Sequence, residues 1–189
     1  MHQIMWARWI EVAADHEQAA GRAYAEICRG NTSMLTEELR QSLVAITAAA
    51  CTVEALYEDV RYLIPERRRL DSTAERVTDG LVAAFGLPDE SSTALLQDLT
   101  WLFHRRNEGV HAYAEPEAPR PHPSGVNTGA EASRFNALEG RRALGVVLQV
   151  LGYAAQPPNP PNRWVARWAE ERRPYHEVVV VPIRERGAP

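Results

Sequence analysis

The sequence is poor in cysteine: Cys28 and Cys51 are the only two, with no Cys-x-x-Cys and no histidines paired at metal-ligand spacing. Neither a disulfide scaffold nor a zinc ribbon is therefore written into it, and no metal or cofactor is expected. Both cysteines fall in Ala- and Leu-rich helical pattern and read as small buried hydrophobes. No segment runs eighteen apolar residues without a charge, which excludes a membrane-spanning helix. The apolar stretch near the start is interrupted by Arg8, and no small-residue cleavage signal follows, so the expectation is a cytoplasmic chain without a signal peptide. Excess positive charge is missing too. Twenty-one basic against 25 acidic residues give a net charge of -4, which argues against non-specific coating of nucleic acid but leaves room for a local basic cleft. There is no internal repeat and no second core-sized domain, and 189 residues suffice for one real core.

What is present is helical periodicity. Trp6, Trp9, Ala13, Ala20, Ala23, Tyr24 and Ile27 recur at helical intervals, with Gly30-Asn31 as a C-terminal stop. A long amphipathic helix follows, capped by Asn31, Thr32 or Ser33, carrying Leu35, Leu39, Leu43, Ile46, Val53, Leu56 and Val60 up to Pro65; its Ala48, Ala49 and Ala50 suit close packing. Ser72 and Glu75 have the spacing of a capping box for a shorter helix ending near Phe85-Gly86. Ser91 or Ser92 caps a fourth helix with Leu95, Leu96, Leu99, Leu102 and Phe103 on one face, ending between Gly109 and Ala112. Residues 115–129 hold four prolines and read as a long loop, and a further helix is expected over residues 132–152. The prolines between 157 and 161 form a stiff linker; Asn162 then caps a short helix with Trp164 and Trp168, stopped by Pro174. Val178 to Val181 look like a strand with no partner, expected to lie extended across the bundle or against a second subunit. The fold expected is all-α: an antiparallel bundle of four to five core helices over residues 1–155, with a short helix and strand-like extension over 156–189.

The densest polar cluster is His104-Arg105-Arg106-Asn107-Glu108-Gly109-Val110-His111-Ala112-Tyr113, at the end of the fourth helix. Arg106 and His111 stand five residues apart, about 140° around a regular helix, so they converge only if the helix loosens, for which Gly109 supplies a reason. An imidazole that titrates near neutrality can pass a proton, while a guanidinium can hold the charge growing on a phosphorane. The pair suits phosphodiester chemistry, without a metal if the nucleophile is RNA's own 2'-hydroxyl. Asn107 can orient a phosphate oxygen, and Glu108 is as well placed to offset Arg105 as to touch His111. A helix end rich in Arg, Asn, Gly and His is also what capping and the helix dipole favour.

Arg106, Asn107, His111 and, two residues on, Tyr113 resemble the signature of the HEPN superfamily, the all-helical domains of prokaryotic toxins and defence ribonucleases: Arg, a polar residue often Asn, three more residues, then His. The likeness covers roughly residues 9–152, including the two long helices before the motif; Gly109 and the long proline loop depart from the family pattern. The resemblance implies a homodimer in which two Arg106/His111 pairs face one cleft, so that two histidines serve the attacking hydroxyl and the leaving oxygen. It also implies that Tyr113 can be modified by a nucleotidyltransferase-type antitoxin. Arg105, Arg141 and Arg142 are candidates to line an RNA cleft, as are Arg67 to Arg69, and His122 is a further candidate because it lies in the long loop.

Two readings follow. The leading one is a metal-independent endoribonuclease, a toxin or defence component, leaving a 2',3'-cyclic phosphate. The alternative is a non-catalytic helical interaction module of the same fold, in which Arg106 and His111 bond within their own protomer. A small-ligand sensor has only the Trp and Tyr content in its favour.

Overall fold

Alanine decides how the bundle is assembled. The computed structural model describes residues 4–65, 72–110 and 118–187. Helices α1 (Met5–Cys28) and α2 (Leu35–Val60) form an antiparallel hairpin turned at Gly30, whose φ of +97° suits glycine, and a short 3-10 turn at Thr32–Met34. Ala13, Ala20 and Ala23 of α1 and Ala45, Ala48, Ala49 and Ala50 of α2 are all buried, and side chains this small let two helix axes approach closely. Helices α3 (Thr73–Phe85), α4 (Asp89–Val110) and α6 (Ala137–Ala155) pack against α2, which becomes the spine of the molecule. Its Val53, Leu56 and Val60 are fully enclosed, together with Leu81, Phe85, Leu99, Leu102, Val147 and Leu151 from the surrounding helices. The described chain is an all-α bundle, and none of its helices is long and apolar enough to cross a membrane.

Several boundaries follow the expected chemistry. Ser72 Oγ accepts from Glu75 N–H at 3.4 Å at the start of α3, and Gly86 ends that helix in the left-handed region at φ +63°. Gly86 is doubly constrained, because a Cβ there would collide with the backbone carbonyl of Asn159 in the proline linker, whose N–H donates to Phe85 O. Asn162 caps α7 (Arg163–Tyr175) by accepting from the Trp164 and Val165 N–H groups, while its own amide donates to Leu63 O at 2.9 Å.

Other boundaries differ. Helix α4 begins at Asp89, before Ser91 and Ser92, and the Ser92 hydroxyl donates back to Pro88 O at 2.9 Å instead of capping. The helix expected over residues 132–152 is two helices, α5 (Ala130–Arg134) and α6, broken at Phe135 and Asn136. Asn136 Oδ1 accepts from Leu138 and Glu139 N–H, so the break is a capped start with no helix running through it. Within the proline-rich segment, β1 (Arg120–Pro121) and β2 (Asn127–Thr128) form a minimal antiparallel hairpin, pairing Arg120 with Thr128 and Pro121 with Asn127.

The largest correction concerns the C-terminal segment. It is helical and not strand-like: Pro174 lies inside α7, a single π-turn spans His176–Val180, and α8 (Val181–Gly187) continues to the end of the described chain. A proline cannot donate to the preceding turn, so Pro174 leaves one carbonyl of α7 without its intrahelical donor. Burial explains the choice: His176, Val180 and Ile183 are buried while Val178 and Val181 are exposed, a spacing of four and three that a helix presents on one face and a strand does not. A lone strand would leave its backbone groups unpaired, whereas a helix pairs them internally. The segment is fixed to its own bundle. Trp168 stacks on Phe85 with ring centroids 6.1 Å apart, and its Nε1 donates to Asp59, which also receives Arg172 through two bonds of 3.1 and 3.2 Å. Trp168 is the anchor, while Trp164 is largely exposed.

Deleting everything after Asn162 removes Val165, Trp168, Val180 and Ile183 from the core. At roughly 1.5–3 kcal/mol for each large buried side chain, this should lower the urea midpoint markedly; an unchanged midpoint would contradict this packing. Acid should act through His176, which is buried against Trp6 at 5.0 Å and whose pKa falls from 6.5 to about 4, first through desolvation and then through the nearby Arg184 charge. The unfolded chain takes up this proton first, so stability present above pH 6.5 is lost as the pH falls toward about 4. The loss is at most about 3 kcal/mol before solvent screening is allowed for. Glu38 works in the opposite sense, its pKa being raised chiefly by desolvation. The measurement is therefore the difference between wild type and His176→Phe, and parallel stability curves from pH 6.5 to 4 would disprove the assignment.

Candidate functional site

The last turn of α4 is seated between α2 and α6, and its two arginines face different helices. Arg106 reaches α2, its Nη1 donating to Glu54 Oε2 at 2.8 Å and its Nε to Asn107 Oδ1 at 3.2 Å, with the guanidinium 5.3 Å from the Phe103 ring centre. Arg105 reaches α6, donating to Glu139 Oε2 at 3.2 Å and to Glu108 Oε2 at 2.8 Å. Glu108 thus offsets Arg105, and its other oxygen lies 3.6 Å from His104 Nε2. Helix α4 is regular through Gly109 and Val110, and the turn on to His111 lies outside the described residues. The glycine serves packing, since a Cβ would come within 2.8 Å of Leu43 Cδ2 and 3.6 Å of Phe135 Cε1. Beside it opens a hollow of about 200 Å³ lined by Trp9, Leu43, Val44, Thr47, Ala48 and Gly109.

The structure brings Arg105, Arg106 and Asn107 together at one edge. His111, Tyr113 and Arg67 to Arg69 lie outside the described residues. Arg142 is on the α4–α6 seam, its guanidinium 4.0 Å over the Trp101 ring and 3.9 Å from Asp98. Arg141, one residue earlier, points the other way and pairs with Glu17 of α1 at 3.1 Å, so these two arginines do not line a common cleft.

His122, a candidate for its place in the long loop, does lie between β1 and β2 but is buried, 2% exposed. Its Nε2 lies 2.9 Å from Glu38 Oε2, out of line with a ring N–H, in a contact from which water is excluded on both sides. Its Nδ1 accepts from Ser124 N–H at 3.2 Å and meets the Ser124 hydroxyl at 2.8 Å, so the other ring nitrogen, Nε2, is the one beside the carboxylate. Glu38 Oε1 accepts from Ala137 N–H at 2.9 Å, at the first residue of α6. The carboxylate therefore holds the helix start and the hairpin together. Desolvation raises its pKa, opposed by the Ala137 bond and the histidine.

Sequence reasoning missed Glu38, although the signal was there: residues 38, 42, 45 and 49 are all buried at helical spacing, so Glu38 falls on an apolar stripe. Glu54 and Glu139 gave no comparable signal, because a glutamate on a half-buried helix face pairs with whatever cation the tertiary structure delivers. Among the described residues, no group of three or more His, Cys, Asp or Glu side chains is placed to hold a metal ion. No protein-family model, curated protein or solved structure matches the chain significantly.

The two polar contacts differ in energetic weight. Glu54 and Arg106 keep 34% and 20% of their side-chain surface, so the pair contributes about 1 kcal/mol or less, and Arg106→Ala should fold nearly as well as wild type. Glu38→Ala leaves a buried imidazole and a helix-start N–H without their carboxylate and should cost about 3 kcal/mol or more. Chemical denaturation of both variants checks the contrast, and equal costs would mean that the roles of the two carboxylates have been misassigned.

Proposed function

We propose that the chain is a metal-independent endoribonuclease of the HEPN type, acting in the cytoplasm as a homodimer and serving as a toxin or defence component. The observation that supports this reading most is the placement of Arg106 and Asn107. They stand hydrogen-bonded to each other on the last turn of α4, partly open to solvent, on the segment that leads directly to His111. Glu54 fixes one face of the guanidinium and leaves other N–H groups for a phosphate oxygen. In this reading His111 takes the proton of the 2'-hydroxyl, which attacks the adjacent phosphorus, and the 5'-oxygen leaves with a proton from the second subunit's histidine. Arg106 stabilises the negative phosphorane and Asn107 positions it. Transfer of a nucleotide to Tyr113 by an antitoxin partner would put a charged phosphate beside the same site and close it.

One observation favours a second reading. Both motif-proximal arginines bond to carboxylates of their own chain, Arg106 to Glu54 and Arg105 to Glu108 and Glu139, as in a non-catalytic interaction module. Arg106→Ala separates the readings because its structural cost is small.

The test is cleavage of RNA in excess chelator, with analysis of the product ends. The expected product carries a 2',3'-cyclic phosphate, and a deoxyribose at the cleavage position should abolish the reaction while keeping the phosphate. His111→Ala should lower turnover about 100-fold or more, and Arg106→Ala should lower both binding and turnover, with the dimer retained. Cleavage by folded His111→Ala at the wild-type rate, or light scattering that finds only a 21.1 kDa particle at all concentrations, would overturn the composite site.

A further inference from the structure

A groove of about 790 Å³ runs between α1 and α6, away from the end of α4, and is closed on one side by α8. Along α6 it extends from Arg141 to Gln149, about 12 Å at 1.5 Å per residue. Its floor is made of Gly21 and Ala25 from α1 with Leu144, Gly145 and Leu148 from α6.

Two of those floor positions have no explanation among the described residues. A Cβ at Gly145 would meet nothing within 4 Å, and one at Gly21 would meet only the tip of Arg141 at 3.9 Å. Glycine inside a helix costs about 1 kcal/mol relative to alanine, and here no close contact between elements offsets it. What the two glycines do is keep the groove deep.

The rim is basic in a chain whose net charge is -4. Among the described residues, Arg22, Arg141, Arg184 and Arg186 surround the groove against a single carboxylate, Glu17. Arg141 spends one N–H on Glu17, and Arg184 spends one on Leu148 O at 2.8 Å. Arg22 is exposed and makes no hydrogen bond or ion pair among the described residues. The chain contains no lysine, so its cationic surface consists entirely of guanidinium groups, which match carboxylates in two-point geometry.

We propose that this groove between α1 and α6 is a docking site for an acidic amphipathic helix of a partner protein, with Leu- or Ile-type side chains on the apolar floor and Asp or Glu side chains on the arginine rim. The chemistry favours a helix over a nucleic acid. Among the described residues no aromatic side chain lines the groove, so single-stranded bases find no stacking platform there, whereas the apolar floor flanked by cations suits a helix laid into a groove. The inference is independent of RNA cleavage, since no residue of the α4 end lines the groove.

The test is selection of a displayed library of 16-residue amphipathic helices on the full-length protein. Fluorescence polarisation of the recovered peptides follows, against wild type, Gly145→Leu and the double variant Arg22→Glu/Arg184→Glu, each checked for wild-type circular dichroism. The expected result is enrichment of acidic helices whose affinity falls with rising salt and at least about 10-fold in either variant. A second variant pair protects the test from misfolding: Gly145→Ala should bind nearly as wild type, and Arg22→Lys, which keeps the charge but loses the two-point fork, should bind more tightly than Arg22→Glu/Arg184→Glu. Recovery of no acidic helix, or of helices that bind both groove variants as tightly as wild type, overturns the proposal. So does polyuridine RNA that binds this groove in place of the peptides, or a wild-type dimer that Gly145→Leu converts to monomer, since the occupant would then be nucleic acid or a second copy of the chain.

Discussion

The buried carboxylate of Glu38 is the constraint on which the seating of α4 against α6 depends. Its two oxygens receive the first N–H of α6 and face the imidazole of His122, so it fixes where α6 begins and where the hairpin before it is tied down. Once that start is set, Glu139 stands in the first turn of α6 and holds Arg105, which seats the end of α4. Two residues further, Arg141 faces α1 and meets Glu17 at the mouth of the basic groove. The arginine-asparagine edge and the groove are separate surfaces, yet both are positioned by the same helix start.

Helix α2 does more than fill the core. Glu38, Glu54 and Asp59 each take hold of a different element: the start of α6, the end of α4, and α7. Their energetic weights differ with solvent access. Glu38 is 1% exposed and is costly to leave unpaired, whereas Glu54 and Asp59 keep about a third of their surface and interact through a more screened field. A helix so rich in alanine offers little side-chain specificity of its own, and these carboxylates supply orientation where methyl groups supply only proximity. The π-turn at His176–Val180 has a related role, joining α7 to α8 so that His176, Val180 and Ile183 lie on the bundle.

Much of the architecture was legible in the sequence. The 3.6-residue stripes, the Ser72 and Asn162 caps and the left-handed stop at Gly86 locate most helices, because these signals act within one or two turns and need no partner. The same local signals failed where a distant partner decides. The valine run has strand-like composition, but the face it buries against α1 and α6 is helical, and burial outweighs propensity. Gly109 is a contact point for Leu43, which no reading of its neighbours reveals.

Sequence by itself determined the helical class, the order of the helices and the presence of an arginine-asparagine-histidine cluster at the end of one of them. Tertiary structure alone decided that His122 is a core residue, that Arg141 and Arg142 face opposite sides of α6, and that Arg106 is held by Glu54. The physical reason is range: caps and periodicity are properties of neighbouring residues, whereas a side chain's charge partner and its access to water depend on elements far along the chain, 99 positions apart for Glu38 and Ala137 and 124 for Arg141 and Glu17.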